Sequence, residues 1–139
     1  MGMTIRTQLD GGAFLPERAH ATDAGADLRT PEPFTLFGHS SHTVHTGVHV
    51  ELPHGCYARI AGKSGLDSHD IVCAGVVDEG YSGEILVRLH NLGRENRFFA
   101  RGDKVAQLIV EVCAYAGFEQ VDEVRGGERG ANGFGSTGR

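Results

Sequence analysis

Apolar and polar residues alternate along much of this chain with a period of two. That is the spacing at which a strand shows one face to a core and the other to water. Between Thr43 and Leu52, the residues Val44, Val48, Val50 and Leu52 fall on one side and His45, His49 and Glu51 on the other, which predicts one strand. Pro53-His54-Gly55 ends it, and Cys56 to Ala61 starts the next. Ile85, Val87 and Leu89 alternate against Glu84, Arg88 and His90. From Lys104 to Val112 both sides are apolar, Ala106, Leu108, Val110 and Val112 against Val105, Gln107 and Ile109, so this strand is expected to be central and covered on both faces. Thr4 to Thr7 reads as a short opening strand, Asp10-Gly11-Gly12 as a turn and Phe14-Leu15-Pro16 as extended chain. Small residues from Ala21 onward predict a loop that enters a strand near Asp27 to Arg29. Gly62 to Asp67 is a turn, or a single helical turn with Ser64 near its start. No long helical period and no internal repeat is present. Many short strands at near-regular spacing predict an all-β sandwich or jelly roll.

One stretch organises the rest. The apolar run Ile71 to Val77 leads straight into Asp78, Gly80 and Gly83 break the chain around Tyr81, and a new alternation begins at Glu84. β-branched residues and an Asp/Gly/Ser turn predict a β-hairpin. Taken alone, its tip reads either as an ordinary Asp-Glu-Gly turn or as a carboxylate set at the lip of an apolar arm for chemistry.

Composition narrows the field. A chain of 139 residues with 40% hydrophobic content can bury one core. No run has the length of a membrane-spanning helix, and Met1 to Leu15 lacks the apolar core of a signal peptide. Cys56, Cys73 and Cys113 lie at unpatterned spacing in apolar surroundings, as reduced core thiols of a cytoplasmic protein do. A formal charge of -5 argues against nucleic acid as a partner but leaves room for a local phosphate site. The 21 glycines are spread as turn residues and then concentrated after Gly126. Residues 1–125 are therefore expected to form a single all-β domain and 126–139 a flexible Gly-rich arm. Alone, that arm reads as a disordered tail, yet Phe134 stands between glycines beside two hydroxyls and two arginines, a composition suited to closing over a flat ring and a phosphate.

Five separated segments decide the case. They are Ala24-Gly25-Ala26-Asp27-Leu28, Gly62-Lys63-Ser64-Gly65-Leu66, Gly75 through Gly83, Arg101-Gly102-Asp103-Lys104-Val105-Ala106-Gln107-Leu108, and Arg129 through Gly138. In this order and spacing they resemble the five motifs of the trimeric dUTPase family, from about Ala21 to Arg139. The resemblance implies a jelly-roll subunit in a homotrimer, with active sites built at subunit interfaces and closed by a C-terminal arm. It also implies Mg²⁺-assisted hydrolysis of dUTP to dUMP and pyrophosphate.

The roles implied by the resemblance suit the residue types. Asp78 corresponds to the carboxylate that activates the attacking water, which must lie within hydrogen-bond reach of it. Asp27 corresponds to the aspartate that helps hold hydrated Mg²⁺, an ion that keeps several waters and touches few protein carboxylates. Tyr81 corresponds to the ring that packs on the deoxyribose and leaves no room for a 2′-hydroxyl. Backbone groups around Val72, Gly75, Val76 and Val77 would meet the uracil edge, with Leu86 lining the same pocket. Lys63, Ser64 and Gly65 correspond to a phosphate-binding motif, and Gln107 to a phosphate-contacting amide. Arg129, Phe134, Gly135, Ser136 and Thr137 correspond to the closing arm, with the ring of Phe134 on uracil.

Two departures stand out. Lys63 occupies a position where the family usually has Arg, which keeps the charge and loses the planar two-pronged grip. Val72 stands where many bacterial members have a uracil-contacting Asn. A dCTP deaminase, which shares the fold, needs a Glu where this chain has Arg88. A dUTP-binding regulatory module without turnover is the alternative from another class. The histidines His39, His42, His45, His49 and His54 invite a metal-site reading, and polar positions on an edge strand explain them more simply. The Gly-rich arm lacks the Gly-Lys-Ser/Thr ending of a P-loop.

Overall fold

The computed structural model describes residues 2–133 and 135. The described residues form eleven strands and one helical turn: β1 (Arg6–Leu9), β2 (Ala26–Arg29), β3 (Phe34–Leu36), β4 (Ser41–His45), β5 (Val48–Glu51), β6 (Cys56–Ala61), α1 (Ser64–Asp67), β7 (Ile71–Val72), β8 (Ala74–Val77), β9 (Leu86–Asn91), β10 (Arg97–Phe99) and β11 (Lys104–Val112). They make a four-stranded sheet in the order β2-β11-β6-β8, a three-stranded sheet β4-β9-β7, and the pairs β1-β5 and β10-β3. All pairings are antiparallel. The all-β jelly roll expected from the alternation is the observed architecture, and β11 is the central strand, flanked by β2 and β6.

The inward positions of both larger sheets meet in one core. Leu28, Ala58, Ile60, Val77, Ala106 and Leu108 come from one sheet, and Val44, Ile71, Val87 and Leu89 from the other. All are buried, as period-two patterning requires. The three cysteines are free thiols. Cys56 is buried, and burial raises the Cys73 thiol pKa.

Two expectations need correction, and two strands went unread. The run from Thr43 to Leu52 is not one strand but two, β4 and β5, which leave for different sheets at Thr46-Gly47. Gly47 has φ 69°, and a Cβ there would lie 2.8 Å from that of Ala13. Thr46 is buried at the corner and donates to the Ile85 carbonyl at 2.6 Å. Secondly, the hairpin around Asp78 is paired only at its base, where Val72 faces His90. At Cys73 the chain changes sheets, and β8 pairs with β6 instead. Gly75 permits this approach, since a Cβ there would meet Ile60 at 3.1 Å. The unread strands, β3 and β10, are too short to show a period. Side-chain stacking marks them: the Phe34 and Phe99 rings lie 4.7 Å apart, and His42 stacks on Phe34 at 4.1 Å.

Candidate active site

Lys63 and its neighbours form the first half of the site. β6 ends at Ala61, Gly62 turns the chain, and α1 begins at Ser64 with Lys63 as its extended N-cap (φ −91°, ψ 133°). The first N–H groups of a helix have no partner within it, so the amides of Ser64 and Gly65 are left without a bond inside this turn. β11 brings Gln107 across from Ala61 and Asp27. Its amide donates to the Gly62 carbonyl at 2.9 Å, which gives this half-buried polar group the partner it requires. Gly25 makes room, because a Cβ there would lie 2.9 Å from the Gln107 Cβ. Lys63, Ser64, Val72 and Gln107 line one open depression of about 440 Å³, together with Gly62, Asp67 and Cys73.

Asp27 lies at the base of this group and is only 4% exposed. Lys63 Nζ donates to one of its carboxylate oxygens, and Lys104 Nζ lies 3.0 Å from the other. Burial pushes the Asp27 carboxyl up, but hydrogen bonds and charge from the two lysines outweigh it and hold its pKa below the ordinary value. Lys104 reaches this point because β11 carries a bulge between Lys104 and Ala106. Sequence reasoning placed Lys104 in a motif but assigned it no role; only the pairing register of β2 and β11 reveals one.

Asp78 lies elsewhere. It follows Val77, which pairs with Ala58, whereas Lys63 follows the opposite end of β6, where Ala61 pairs with Ala74. At about 3.3 Å per residue, the two lie roughly 20 Å apart along the strands. Asp78 and Val76 line a separate depression of about 470 Å³ with Tyr57, Glu79, Cys113 and Tyr115. The Asp78 side chain is exposed and hydrogen-bonds to no other described residue. Glu79, beside it, has three partners: the Tyr115 hydroxyl, the Gly55 N–H at 2.8 Å and the His54 ring at 3.1 Å. Led by Tyr115, these lower the Glu79 pKa to about 2, and the same bond raises that of Tyr115 to about 12. Nothing in the local sequence marks this network, whose parts lie 24 and 36 residues apart.

β8 is an edge strand bonded only to β6, so alternate backbone groups among Gly75, Val76 and Val77 point away from any strand. Val77 is buried, whereas Val76 and Leu86 are 63% and 44% exposed. The turn after β8 is closed by the Tyr81 N–H on the Asp78 carbonyl at 3.1 Å, with Gly80 at φ 88°. The Tyr81 hydroxyl donates to the Glu84 carbonyl at 2.8 Å, and the residue is 47% exposed. In the arm, Arg129 donates to the carbonyls of Asn132 and Gly133 at 2.8 and 2.9 Å, so it closes its own loop rather than either depression. Gly135 has φ 79°. Phe134, Ser136 and Thr137 lie outside the described residues. His45 and His49 belong to separate strands with different partners, Glu84 for His45 and Asp10 with Ser82 for His49.

Comparison with known proteins finds relatives along nearly the whole chain. A family model described as dUTPase matches residues 13–138. Human mitochondrial deoxyuridine 5'-triphosphate nucleotidohydrolase is 42% identical over 99% of this chain, which spans 56% of the human protein's length. The structure of Staphylococcus bacteriophage 80alpha dUTPase with dUPNHPP is 27% identical, with a TM-score of 0.87, covering 98% of this chain and 99% of that one. A mutant dUTPase from phage phi11 of S. aureus, described for its coordination of a structural Mg(II) ion, is 25% identical with a TM-score of 0.80, over 87% of this chain and 98% of that one. With five motifs in order, a matching fold and a family match across nearly its whole length, this chain belongs to the dUTPase family.

Proposed function

We propose that this chain hydrolyses dUTP to dUMP and pyrophosphate, at sites assembled between copies of itself in a homotrimer. The observation that carries this reading is the contrast between two adjacent carboxylates. Glu79 is spent on three hydrogen bonds, whereas Asp78 is exposed and free among the described residues. A general base needs an ionised group with room for a water beside it. In the step proposed, a water oxygen bonds to the α-phosphorus and its proton passes to the Asp78 carboxylate. The bond from the α-phosphorus to the α,β-bridging oxygen breaks, and pyrophosphate leaves with that electron pair.

The register of β6 and β8 supports a shared site. Roughly 20 Å of strand separates Asp78 from Lys63 on one chain, more than one side chain spans, so the phosphate group of one copy serves the carboxylate of another. Val112, Phe118 and Val124 are 85%, 99% and 80% exposed, which suits a C-terminal stretch that packs on a neighbouring subunit. Residues 1–125 act as one domain and 126–139 as the arm that closes the site, with Arg129, Gly135, Ser136 and Thr137 on the phosphates and Phe134 on the base.

Within this site, Lys63, the Ser64 hydroxyl, the Gly65 amide and Gln107 bind phosphate oxygens. The free backbone edge of β8 at Gly75, Val76 and Val77, with that of Val72, reads the uracil edge. Leu86 lines the pocket, and Tyr81 excludes a ribose. A base with the wrong pattern leaves these buried groups unpaired, which is the costly kind of mismatch.

Asp27 fits a hydrated Mg²⁺ by donor chemistry, as one ionised, hard carboxylate beside the phosphate group. Its two lysines make the place net positive until a triphosphate arrives, so Asp27 would hold the ion through water and together with the substrate. Once bound, Mg²⁺ would neutralise charge on the triphosphate. Three free thiols suit a reducing compartment, in keeping with a cytoplasmic enzyme of nucleotide metabolism.

A panel of dUTP, dTTP, dCTP and UTP with Mg²⁺, read by pyrophosphate release, tests the reading. Release from dUTP alone is expected. Preference for dTTP or UTP would show that the wall around Gly75 and Tyr81 has another purpose.

A further inference from the structure

His49 sits on β5 opposite Gln8 of β1, with its ring beneath the turn that carries Tyr81. Its Nδ1 lies 2.9 Å from the Ser82 carbonyl oxygen, and its Nε2 lies 3.1 Å from both carboxylate oxygens of Asp10. A carbonyl and an ionised carboxylate only accept hydrogen bonds, and a neutral imidazole has a single N–H to give. Both contacts are therefore satisfied only by the imidazolium. The side chain is 21% exposed, so water has limited access to replace a lost bond.

The surroundings favour that charge. Asp10 faces the ring from the loop after β1, and Glu84 from the segment before β9. Glu84 itself accepts from the His45 ring at 2.8 Å and from the Gly47 N–H at 2.9 Å. Arg6 and Glu51, which share the groove with His49, pair with each other at 3.2 Å. The Ser82 carbonyl first, then Asp10 and Glu84, raise the His49 pKa above its ordinary value. The turn is thus tethered on both sides of Gly83, at Ser82 by His49 and at Glu84 by Gly47 and His45.

We infer that His49 is a positioning residue: as an imidazolium it ties the Ser82 carbonyl to Asp10 and so holds the turn of residues 78–83, with Tyr81, in the shape that refuses a ribose 2′-hydroxyl. The idea rests on the role proposed above for Tyr81. A group whose folded-state pKa is raised contributes its stabilisation below its unfolded pKa and loses it as pH rises through the folded one. The clamp is closed in mild acid and opens toward alkaline pH, and sugar discrimination opens with it.

The test compares the native chain, His49→Leu and Asp10→Asn. Ring ¹⁵N resonances at pH 6 report whether both His49 nitrogens carry protons, and amide exchange at Tyr81 and Gly83, compared at one pH, reports the turn. Steady-state kinetics with dUTP and UTP from pH 5.5 to 9 report the ratio of the two kcat/KM values. In the native chain both nitrogens should be protonated at pH 6, and the dUTP preference should fall roughly five- to tenfold as the ring titrates. His49→Leu should show the lower preference at every pH, with KM for dUTP raised and kcat within about twofold of native. Asp10→Asn, a milder change to an exposed side chain, should move the midpoint to lower pH and speed exchange at Tyr81. A singly protonated ring at pH 6 would overturn the inference, as would a pH-independent preference shared by all three proteins. If the native chain releases no pyrophosphate from dUTP, the proposed function fails instead, and the ring resonances with amide exchange still decide the clamp.

Discussion

On the Lys63 side, Lys63, Asp27 and Lys104 already have partners, whereas at the far end of the same strand pair Asp78 carries a carboxylate with none among the described residues. Both depressions are of similar size, about 440 and 470 Å³, so volume does not distinguish them. Pairing does. The lysine side is assembled in advance: Asp27 is buried between two cations, and Gln107 is fixed on the Gly62 carbonyl. Groups that must receive phosphate gain from being held in place before it arrives. On the proposed reading, Asp78 is the base that takes a proton and has to stay unsatisfied until water reaches it, and Glu79 beside it shows what a satisfied carboxylate looks like here.

The largest expected effect tests the two sides together. Asp78→Asn should lower kcat by about 10²–10⁴-fold, the range for loss of a positioned general base, with KM for dUTP nearly unchanged. Lys63→Ala should act mainly on KM. If the two sides work only across copies, co-refolding equal amounts of these two impaired proteins, assayed with dUTP well below KM, should restore roughly a quarter of native turnover, the fraction of all sites in a random ring that receive an intact residue from each contributor. Turnover no higher than the sum of the two parents would place both residues of a working site on one chain, and the shared-site model would have to go.

The lysine side was legible in the sequence because its parts are local. Gly62 to Leu66 is one turn, and Gln107 sits in a strand whose neighbours on both faces are apolar. The Asp78 side was legible only at its tip. That Ile71 to Val77 changes sheets at Cys73 depends on Gly75 meeting Ile60, a contact between strands that no window of sequence contains. The same holds for Lys104: its place in a motif was visible, but its hold on Asp27 follows from a bulge in the β2–β11 register. Period-two patterning reports which face is buried. It does not report the partner strand, and both hidden features are matters of partner.

Next in size is the loss of Asp27. Its side chain is 5% exposed, but Lys63 and Lys104 are 29% and 40% exposed, so water screens the attraction and most of the large value for a buried pair is lost. Asp27→Asn should cost about 1–2 kcal/mol at neutral pH in denaturant unfolding. The sign with pH follows from the lowered pKa. A carboxylate depressed in the folded state stabilises above its unfolded pKa, near 3.8, and that contribution is lost as pH falls through the folded value. The variant should therefore approach native stability in strong acid. A constant difference down to the acid limit would mean that packing, not charge, is what Asp27 supplies.

The smallest effect concerns the lysine itself. Lys63→Arg would place a planar fork where a point charge now binds one oxygen of Asp27. If Lys104 keeps the other oxygen, the fork has one carboxylate oxygen left to grip and can offer its remaining donors to phosphate. KM for dUTP should then fall by about two- to fivefold, with stability changed by less than about 0.5 kcal/mol, as expected where the cation of a pair keeps its charge and is partly reached by water. If the fork instead takes both oxygens, Lys104 is displaced, stability rises slightly and KM climbs. These outcomes differ in sign on the same measurement. Adding Lys104→Met then separates them: it should hurt the Lys63→Arg enzyme as much as the native one in the first case, and much less in the second.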